Sequence, residues 1–203
     1  MQSIEINCDE ELRYIEKKLG SLKGQAPSVL VKALNQTAKN ARKELQTKAK
    51  EEYTVKAGKF NKAMKIKNAK KASLTAVITA EGKPLPISDF STKFTQGDAA
   101  KAKGLKRNKF KPFVLQGKDS NGKDLKGFIT KFASGHVALV QRVPGKKMRN
   151  KNKQAIKEFY SIGIPKMIGS EEHVYGVVKP NIESNLKKNI DVQIAKLLAK
   201  SGG

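Results

Sequence analysis

Few residues in this sequence have the type and spacing that catalysis requires. The two histidines, His136 and His173, are far apart, and the single cysteine, Cys8, has no partner for a zinc site or an intrachain disulfide. Ser134, His136 and Asp89 contain the groups of a hydrolase triad, but no nucleophile elbow surrounds any serine. We therefore predict no catalytic residue, no metal site and no cofactor, and a protein that is not an enzyme.

The stretch GKDSNGKD, residues 117–124, has the glycine spacing of a phosphate-binding loop. That loop needs a Ser or Thr directly after its lysine, where this chain has Asp124, and it must lead into a helix, where this chain has a strand pattern. A calcium loop counted from Asp119 would end on Thr130 and not on a glutamate. We interpret the stretch as a hairpin turn.

The composition is strongly basic. Lys and Arg number 42 against 18 Asp and Glu, which gives 203 residues a formal net charge of +24. This imbalance predicts a polyanionic partner, either nucleic acid or an acidic protein surface. Because no RNP, KH or zinc-finger pattern is present, nucleic-acid binding would be non-specific attraction to phosphates. An equally good interpretation is that the basic residues form a solvated surface and bind no such partner.

The N-terminus lacks the pattern of a signal peptide, and no apolar run approaches the ~20 residues that span a bilayer. We therefore expect no membrane partner and a protein made and used inside a cell. The length and the 38% hydrophobic content predict one sizeable core. The predicted organisation is an N-terminal strand and helix extension over 1–25, followed by a single domain over 26–203 with basic loops near 92–111 and 145–155.

Hydrophobic periodicity predicts an α+β fold, in which an antiparallel sheet or meander packs with a long N-terminal amphipathic helix and a C-terminal helix. The predicted helices begin at Asp9, at Pro27, at Thr54 and at Pro180-Asn181, and they end near residues 19, 53, 64 and 198. A short strand is predicted over 3–8. An antiparallel sheet is predicted to contain strands near 74–80, 112–116, 126–132 and 136–143.

The segment GKPLPISDFS, residues 82–91, combines rigid prolines with apolar residues. Pro84 and Pro86 exclude a helix or a central strand, whereas Leu85, Ile87 and Phe90 are expected to be buried. Such a segment is either a loop pinned across a core or a docking surface. The basic segments 101–111 and 146–153 lack apolar anchors, which predicts that both are mobile in the isolated subunit.

Four segments, in order, resemble the phage minor tail protein Z family of tail-completion proteins. They are VLVKALNQTAKNARKEL (29–45), GKPLPISDFS (82–91), GFITKFASGHVALVQRV (127–143) and IKEFYSIGIPKMI (156–168). The last is similar to the family element I-x-E-x-Y-G-x-S-x-P, from which this chain departs at Ser161 and Gly163.

The resemblance implies a non-enzymatic virion protein that caps the head-proximal end of the tail and helps to join head and tail. It implies a ring of identical copies, with a hexamer expected, through which duplex DNA passes without being read. The neighbours would be a tail terminator or tail tube protein and head connector proteins. Assembly would occur in the host bacterial cytoplasm. A non-specific nucleic-acid-binding protein and a basic tail assembly chaperone are the alternatives.

Two groups of residues follow as candidate sites. The residues expected to contact DNA or an acidic partner are Lys101, Lys103, Lys106, Arg107, Lys109, Lys111, Lys146, Lys147, Arg149 and Lys151. The residues of the irregular apolar segments, expected to pack a β-core or to clip into a neighbouring copy, are Pro84, Pro86, Asp89, Phe90, Phe159, Tyr160, Ile164 and Pro165.

Overall fold

The computed structural model describes residues 1–6, 9–56, 58–90, 127–149 and 152–201. Its helices and antiparallel strands confirm the α+β fold class. The contacts divide the chain into two compact units. Unit 1 comprises Met1–Ala49, Phe60–Gly82 and Pro165–Gly203, and unit 2 comprises Lys50–Lys59 and Lys83–Ile164.

Three helices provide most of unit 1. They are α1 (Asp9–Leu19), α2 (Ala26–Glu52) and α5 (Tyr175–Ser201), and a 3-10 turn over Gly20–Gln25 joins the first two. The short helices α3 (Gly58–Ala63) and α4 (Ile164–Ile168) precede α5 in the chain. The long helix α2 forms because Leu30, Leu34, Ala38, Ala41 and Leu45 recur at intervals of three or four, and all of them are buried. The predicted α1 and α2 are thereby confirmed to within a residue or two.

Two hydrogen bonds between side chains tie α2 to α5. The Asn189 amide donates to the Thr37 hydroxyl at 2.9 Å, and the Asn185 amide donates to Glu44 Oε1 at 2.8 Å. From the bond between Thr37 and Asn189 to the bond between Glu44 and Asn185, the residue number rises along α2 and falls along α5. The two helices therefore run antiparallel. Ala38 and Ala41, which are both buried, lie between the bonded residues of α2 in the sequence.

The sheet of unit 1 has three antiparallel strands in the order β1, β3, β2. These strands are β1 (Gln2–Ile6), β2 (Met64–Lys67) and β3 (Ala76–Ala80). In register, Ile4 and Ile66 both lie opposite Ile78 of the central strand. Alternate residues of β3 are fully buried, and its β-branched residues favour a strand.

The sheet of unit 2 has four antiparallel strands in the order β4, β7, β6, β5. They are β4 (Leu85–Pro86), β5 (Gly127–Lys131), β6 (Val137–Lys147) and β7 (Gln154–Ser161). One face buries a cluster made of Ile87, Ile129, Leu139 and Phe159. The predicted strands at 126–132 and 136–143 are confirmed, whereas the predicted strand at 112–116 and the DSNG turn lie outside the described residues.

One prediction about a strand and one about a helix were wrong. The strand at 74–80 does not share a sheet with the strands at 126–143, because it pairs with β1 and β2, which are distant from it in sequence. The helix predicted from Thr54 to residue 64 is shorter, since α3 covers Gly58–Ala63 and the chain then enters β2.

The start of the C-terminal helix was also predicted wrongly. Helix α5 begins at Tyr175, so Pro180 and Asn181 lie inside it. Pro180 occupies the second turn, where it removes the hydrogen bond that its amide would otherwise donate to the Gly176 carbonyl. Val178 and Ile182 are both buried and lie four residues apart, so the apolar stripe of α5 begins before Pro180.

Candidate functional site

Parts of the two apolar segments that the sequence singles out, 84–90 and 158–168, pair with each other at one edge of the unit 2 sheet. Strand β4 pairs antiparallel with β7, and this register places Leu85 opposite Ser161 and Pro86 opposite Tyr160. Pro86 can take this position because β4 is an edge strand, where a missing amide donor leaves no ladder position unfilled. The proline segment is therefore an edge element of the core sheet.

Residues 87–90 are held by the segment that follows α2. Phe90 forms an isolated antiparallel bridge with Val55, and the Lys56 amide donates to the Asp89 carbonyl at 2.9 Å. The Asp89 carboxylate lies 2.7 Å from Lys59 Nζ. Ile87 and Phe90 are buried, with exposed fractions of 6% and 2%, as predicted. The segment is thus pinned to unit 2 by backbone bonds, an ion pair and buried side chains.

The later apolar segment divides between buried and exposed residues. Phe159 and Ile164 are buried, and Pro165 is half-buried. The ring of Pro165 packs near Gly82: a Cβ atom added to that glycine would lie 3.7 Å from Pro165 Cδ. Tyr160 is instead 47% exposed. Within this segment, Tyr160 has the accessible aromatic surface that a contact with a neighbour would need.

The predicted basic contact residues that the structure describes lie at the end of a long hairpin. Strand β6 continues past its pairing with β5 to Lys147, which lies opposite Gln154 of β7. Residues 143–146 face Ala155 across a bulge, and Gly145 has φ +71°, a conformation that glycine adopts without strain. We call residues 143–149, 152 and 153 the cationic hairpin end.

Lys146, Lys147 and Arg149 are all exposed on the cationic hairpin end, so that their charges are available to a partner. The expectation of a separate basic loop near 145–155 was wrong in its bounds, because β6 includes Lys146 and Lys147 and β7 begins at Gln154. The remaining predicted contact residues lie outside the described part of the chain; they are Lys151 and those of the segment 101–111.

A polar cluster on the opposite face of the unit 2 sheet was missed by the sequence analysis. His136 Nε2 lies 2.9 Å from Glu158 Oε1, and the ring of His136 stacks on Phe132 at 5.8 Å between centroids. The hydrogen bond from Tyr160 to Glu158 raises the pKa of the Tyr160 phenol, because ionisation would remove the donated proton. Only the register of β6 against β7 reveals this cluster.

The geometry does not assemble the triad drawn from Ser134, His136 and Asp89. The imidazole of His136 pairs with Glu158, whereas the Asp89 carboxylate pairs with Lys59. Over the described ranges, no group of three His, Cys, Asp or Glu side chains could hold a metal ion. None of the helices in the described part of the chain is long and apolar enough to cross a membrane.

Comparison with known proteins identifies the family. The sequence matches the family model for prophage minor tail protein Z (GPZ) over residues 13–201, which is nearly the whole chain. The chain belongs to this family. No curated protein and no solved structure matches the sequence.

Membership of the minor tail protein Z family assigns the chain a structural role in a phage tail and a place in the virion tail. A protein in that position contacts other tail or head components. A structural tail role is also consistent with the prediction that the chain is not an enzyme. The match includes all four segments on which the resemblance rests, and it extends into α1 and α5.

Proposed function

We propose that this minor tail protein completes the head-proximal end of the tail. Copies of the chain form a closed ring, expected to be a hexamer, which caps the tail tube or its terminator and presents a face to the head connector. Duplex DNA passes through the ring. The protein assembles with its neighbours in the host cytoplasm and remains in the finished virion.

The family match over residues 13–201 is the observation that carries this proposal. The net charge of +24 supports the passage of DNA, because lysine-rich surfaces attract phosphates without reading bases. Such contacts let a duplex slide. The pinned proline segment supports a rigid subunit, since its buried side chains fix one edge of the unit 2 sheet.

We assign the DNA contact to the basic residues of segment 101–111. Between Lys101 and Lys111 the sequence contains six basic residues and no acidic residue, an unbroken density of charge suited to a phosphate backbone. The other basic residues, Lys146, Lys147, Arg149 and Lys151, bind an acidic partner in this proposal.

The DNA contact can be tested by the salt dependence of duplex binding, measured by fluorescence anisotropy with DNA of unrelated sequences. Replacement of Lys106, Arg107, Lys109 and Lys111 by Gln should weaken binding equally for every sequence. The slope of log affinity against log salt should become shallower by about 0.9 for each phosphate that the variant no longer neutralises. A slope equal to that of the native chain would contradict the assignment.

The matched control removes four charges from the exposed face of α2. Lys32, Lys39, Lys43 and Lys50 all lie on that helix with side chains at least partly exposed, so their replacement by Gln lowers the net charge by the same amount. This variant should keep most of the native slope. If both variants bind more weakly to the same extent, then DNA responds to net charge alone and segment 101–111 has no special role.

A second test uses finished particles. The tail-completion role requires the chain in purified virions, where mass spectrometry of the particle proteins should detect it. Its absence from finished particles would contradict the role and would favour the assembly chaperone. A chain that stays monomeric and binds duplex DNA at physiological salt would favour the cellular nucleic-acid-binding protein.

A further inference from the structure

Unit 1 contains a groove between β1, α1 and α5. Two adjoining hollows of about 350 and 440 Å³ form it, and both are lined by Glu11 and Lys187. Apolar side chains with little exposure line it as well, among them Ile4, Ile182 and Ile190. The groove therefore offers a concave apolar surface framed by charged side chains.

The charge of this groove is opposite to that of the chain. Its lining includes two lysines, Lys179 and Lys187, and five carboxylates, which are Glu5, Glu10, Glu11, Glu183 and Asp191. The whole chain has 42 basic residues against 18 acidic ones. We call this surface the acidic groove. It repels a phosphate backbone and favours a basic protein segment.

Most of these carboxylates are available to a partner. Asp191 accepts a hydrogen bond from the Tyr14 hydroxyl at 2.9 Å. Within the part of the chain that the structure describes, no basic group lies within 4.0 Å of the carboxylates of Glu5, Glu10, Glu11 and Glu183. Lysine or arginine side chains from another molecule would therefore meet unpaired carboxylates close to an apolar surface.

The cationic hairpin end has the complementary chemistry. From Arg142 to Lys153 the sequence contains no acidic residue, and Lys146, Lys147 and Arg149 are exposed. Met148 lies among these charges with 42% of its surface exposed, and its flexible thioether side chain adapts to irregular apolar surfaces. The backbones of a two-stranded ribbon lie only about 5 Å apart, so that its end can enter a narrow groove.

We propose that the cationic hairpin end of one copy docks in the acidic groove of the next copy. This interface rests on the proposed function, because it supplies the contact by which identical copies join into a ring. The surfaces are different on the two sides, so the contact is heterologous and repeats until the ring closes. It also explains why a strongly basic chain concentrates carboxylates in one groove.

The test measures the mass of the full-length chain and its charge-reversed variants by native mass spectrometry. The hairpin variant contains Lys146→Glu, Lys147→Glu and Arg149→Glu, and the groove variant contains Glu10→Lys and Glu183→Lys. All five side chains are exposed, so each variant should fold. We expect the native chain to give a ring and each variant alone to give the 22.3 kDa monomer.

Mixing the two variants gives the sharpest result. The basic hairpin end of the groove variant fits the acidic groove of the hairpin variant, and the acidic hairpin end of the hairpin variant fits the groove that carries the added lysines. The mixture should therefore restore a ring in which the two variants alternate, although neither variant assembles alone. All five substitutions in a single chain restore opposite charges across the interface and should restore the ring. A control with Lys32→Glu, Lys39→Glu and Lys43→Glu on the exposed face of α2 should still form rings.

The outcomes separate this inference from the proposed function. If the native chain is monomeric at every concentration, then the ring itself is wrong. If the native chain forms rings and both charge-reversed variants do so as well, then the ring stands and the docking contact is refuted.

Cross-linking gives an independent reading. In a Cys8→Ser background, Met148→Cys and Glu183→Cys together should form disulfide-linked multimers on oxidation. Met148→Cys with Lys43→Cys should not form them. If the disulfide forms only between two cysteines of the same copy, so that the protein stays monomeric, docking between copies is contradicted.

Discussion

Truncation of Phe90 tests whether the proline segment is part of the core or a surface for docking. Phe90 is 2% exposed, and its backbone bridges Val55 while its amide donates to the Ile87 carbonyl at 3.1 Å. The backbone bonds survive a Phe90→Ala substitution, so the destabilisation comes from packing alone. A buried Phe→Ala change costs about 3–5 kcal/mol, a large share of the ~5–15 kcal/mol that stabilises a typical domain.

The expected destabilisation should be local to unit 2. Urea unfolding followed by circular dichroism measures the change in the free energy of unfolding, and hydrogen exchange reports which amides become less protected. The amides of β7 should exchange faster, because β4 pairs directly with that strand. Pro84→Ala is the control within the same segment. Its side chain is exposed, so it should cost less than about 1 kcal/mol.

A cost below about 1 kcal/mol for Phe90→Ala would refute this reasoning. If such a variant folded normally and failed only in assembly, Phe90 would belong to an interface between copies. Phe90→Asp gives the stronger form of the prediction, because it places a charge in the core and should prevent folding.

Two further predictions concern single side chains. Gly176→Ala should cost about 1–3 kcal/mol in urea unfolding, because a Cβ atom there would overlap the carbonyl oxygen of Glu171. Gly24→Ala, which has open space around it, should cost less. Glu158→Gln should return the raised pKa of Tyr160 towards its ordinary value in an ultraviolet titration. The native stabilisation from this bond is present below the ordinary tyrosine pKa and is lost as the pH rises through the raised value.

Local patterns predicted the helices of this fold more reliably than its sheets. The apolar stripe of α2 is contained within a single stretch, so its periodicity alone gives the bounds of the helix. Strand β3 was also recognisable from its β-branched residues. Its partners were not, because β1 precedes it by about seventy residues in the chain and pairing between distant segments leaves no local pattern.

Two element boundaries near prolines differ from their predicted positions. Pro180 resembled a helix start because proline is favoured in the first turn, but the apolar stripe through Val178 and Ile182 decides that the helix begins earlier. The strand predicted over 136–143 was too short, because β6 extends to Lys147 through Pro144 and Gly145. Strand β6 continues past them because a bulge and the positive φ of Gly145 accommodate the extra residues opposite β7.

The candidate surfaces could be predicted only in part. The charge of Lys146, Lys147 and Arg149 is evident from the sequence, whereas their position on a hairpin requires the register of β6 and β7. The acidic groove is harder to foresee, since its carboxylates come from β1, α1 and α5. Spacing along the chain does not reveal a surface made from both ends of the sequence.

Electron cryomicroscopy of intact particles, focused on the junction between head and tail, would show whether this chain forms a ring there. We expect a closed ring of copies of this chain at the head-proximal end of the tail, surrounding a channel wide enough for duplex DNA. Density for the chain at the distal end of the tail alone, or single copies without a ring at the junction, would contradict it.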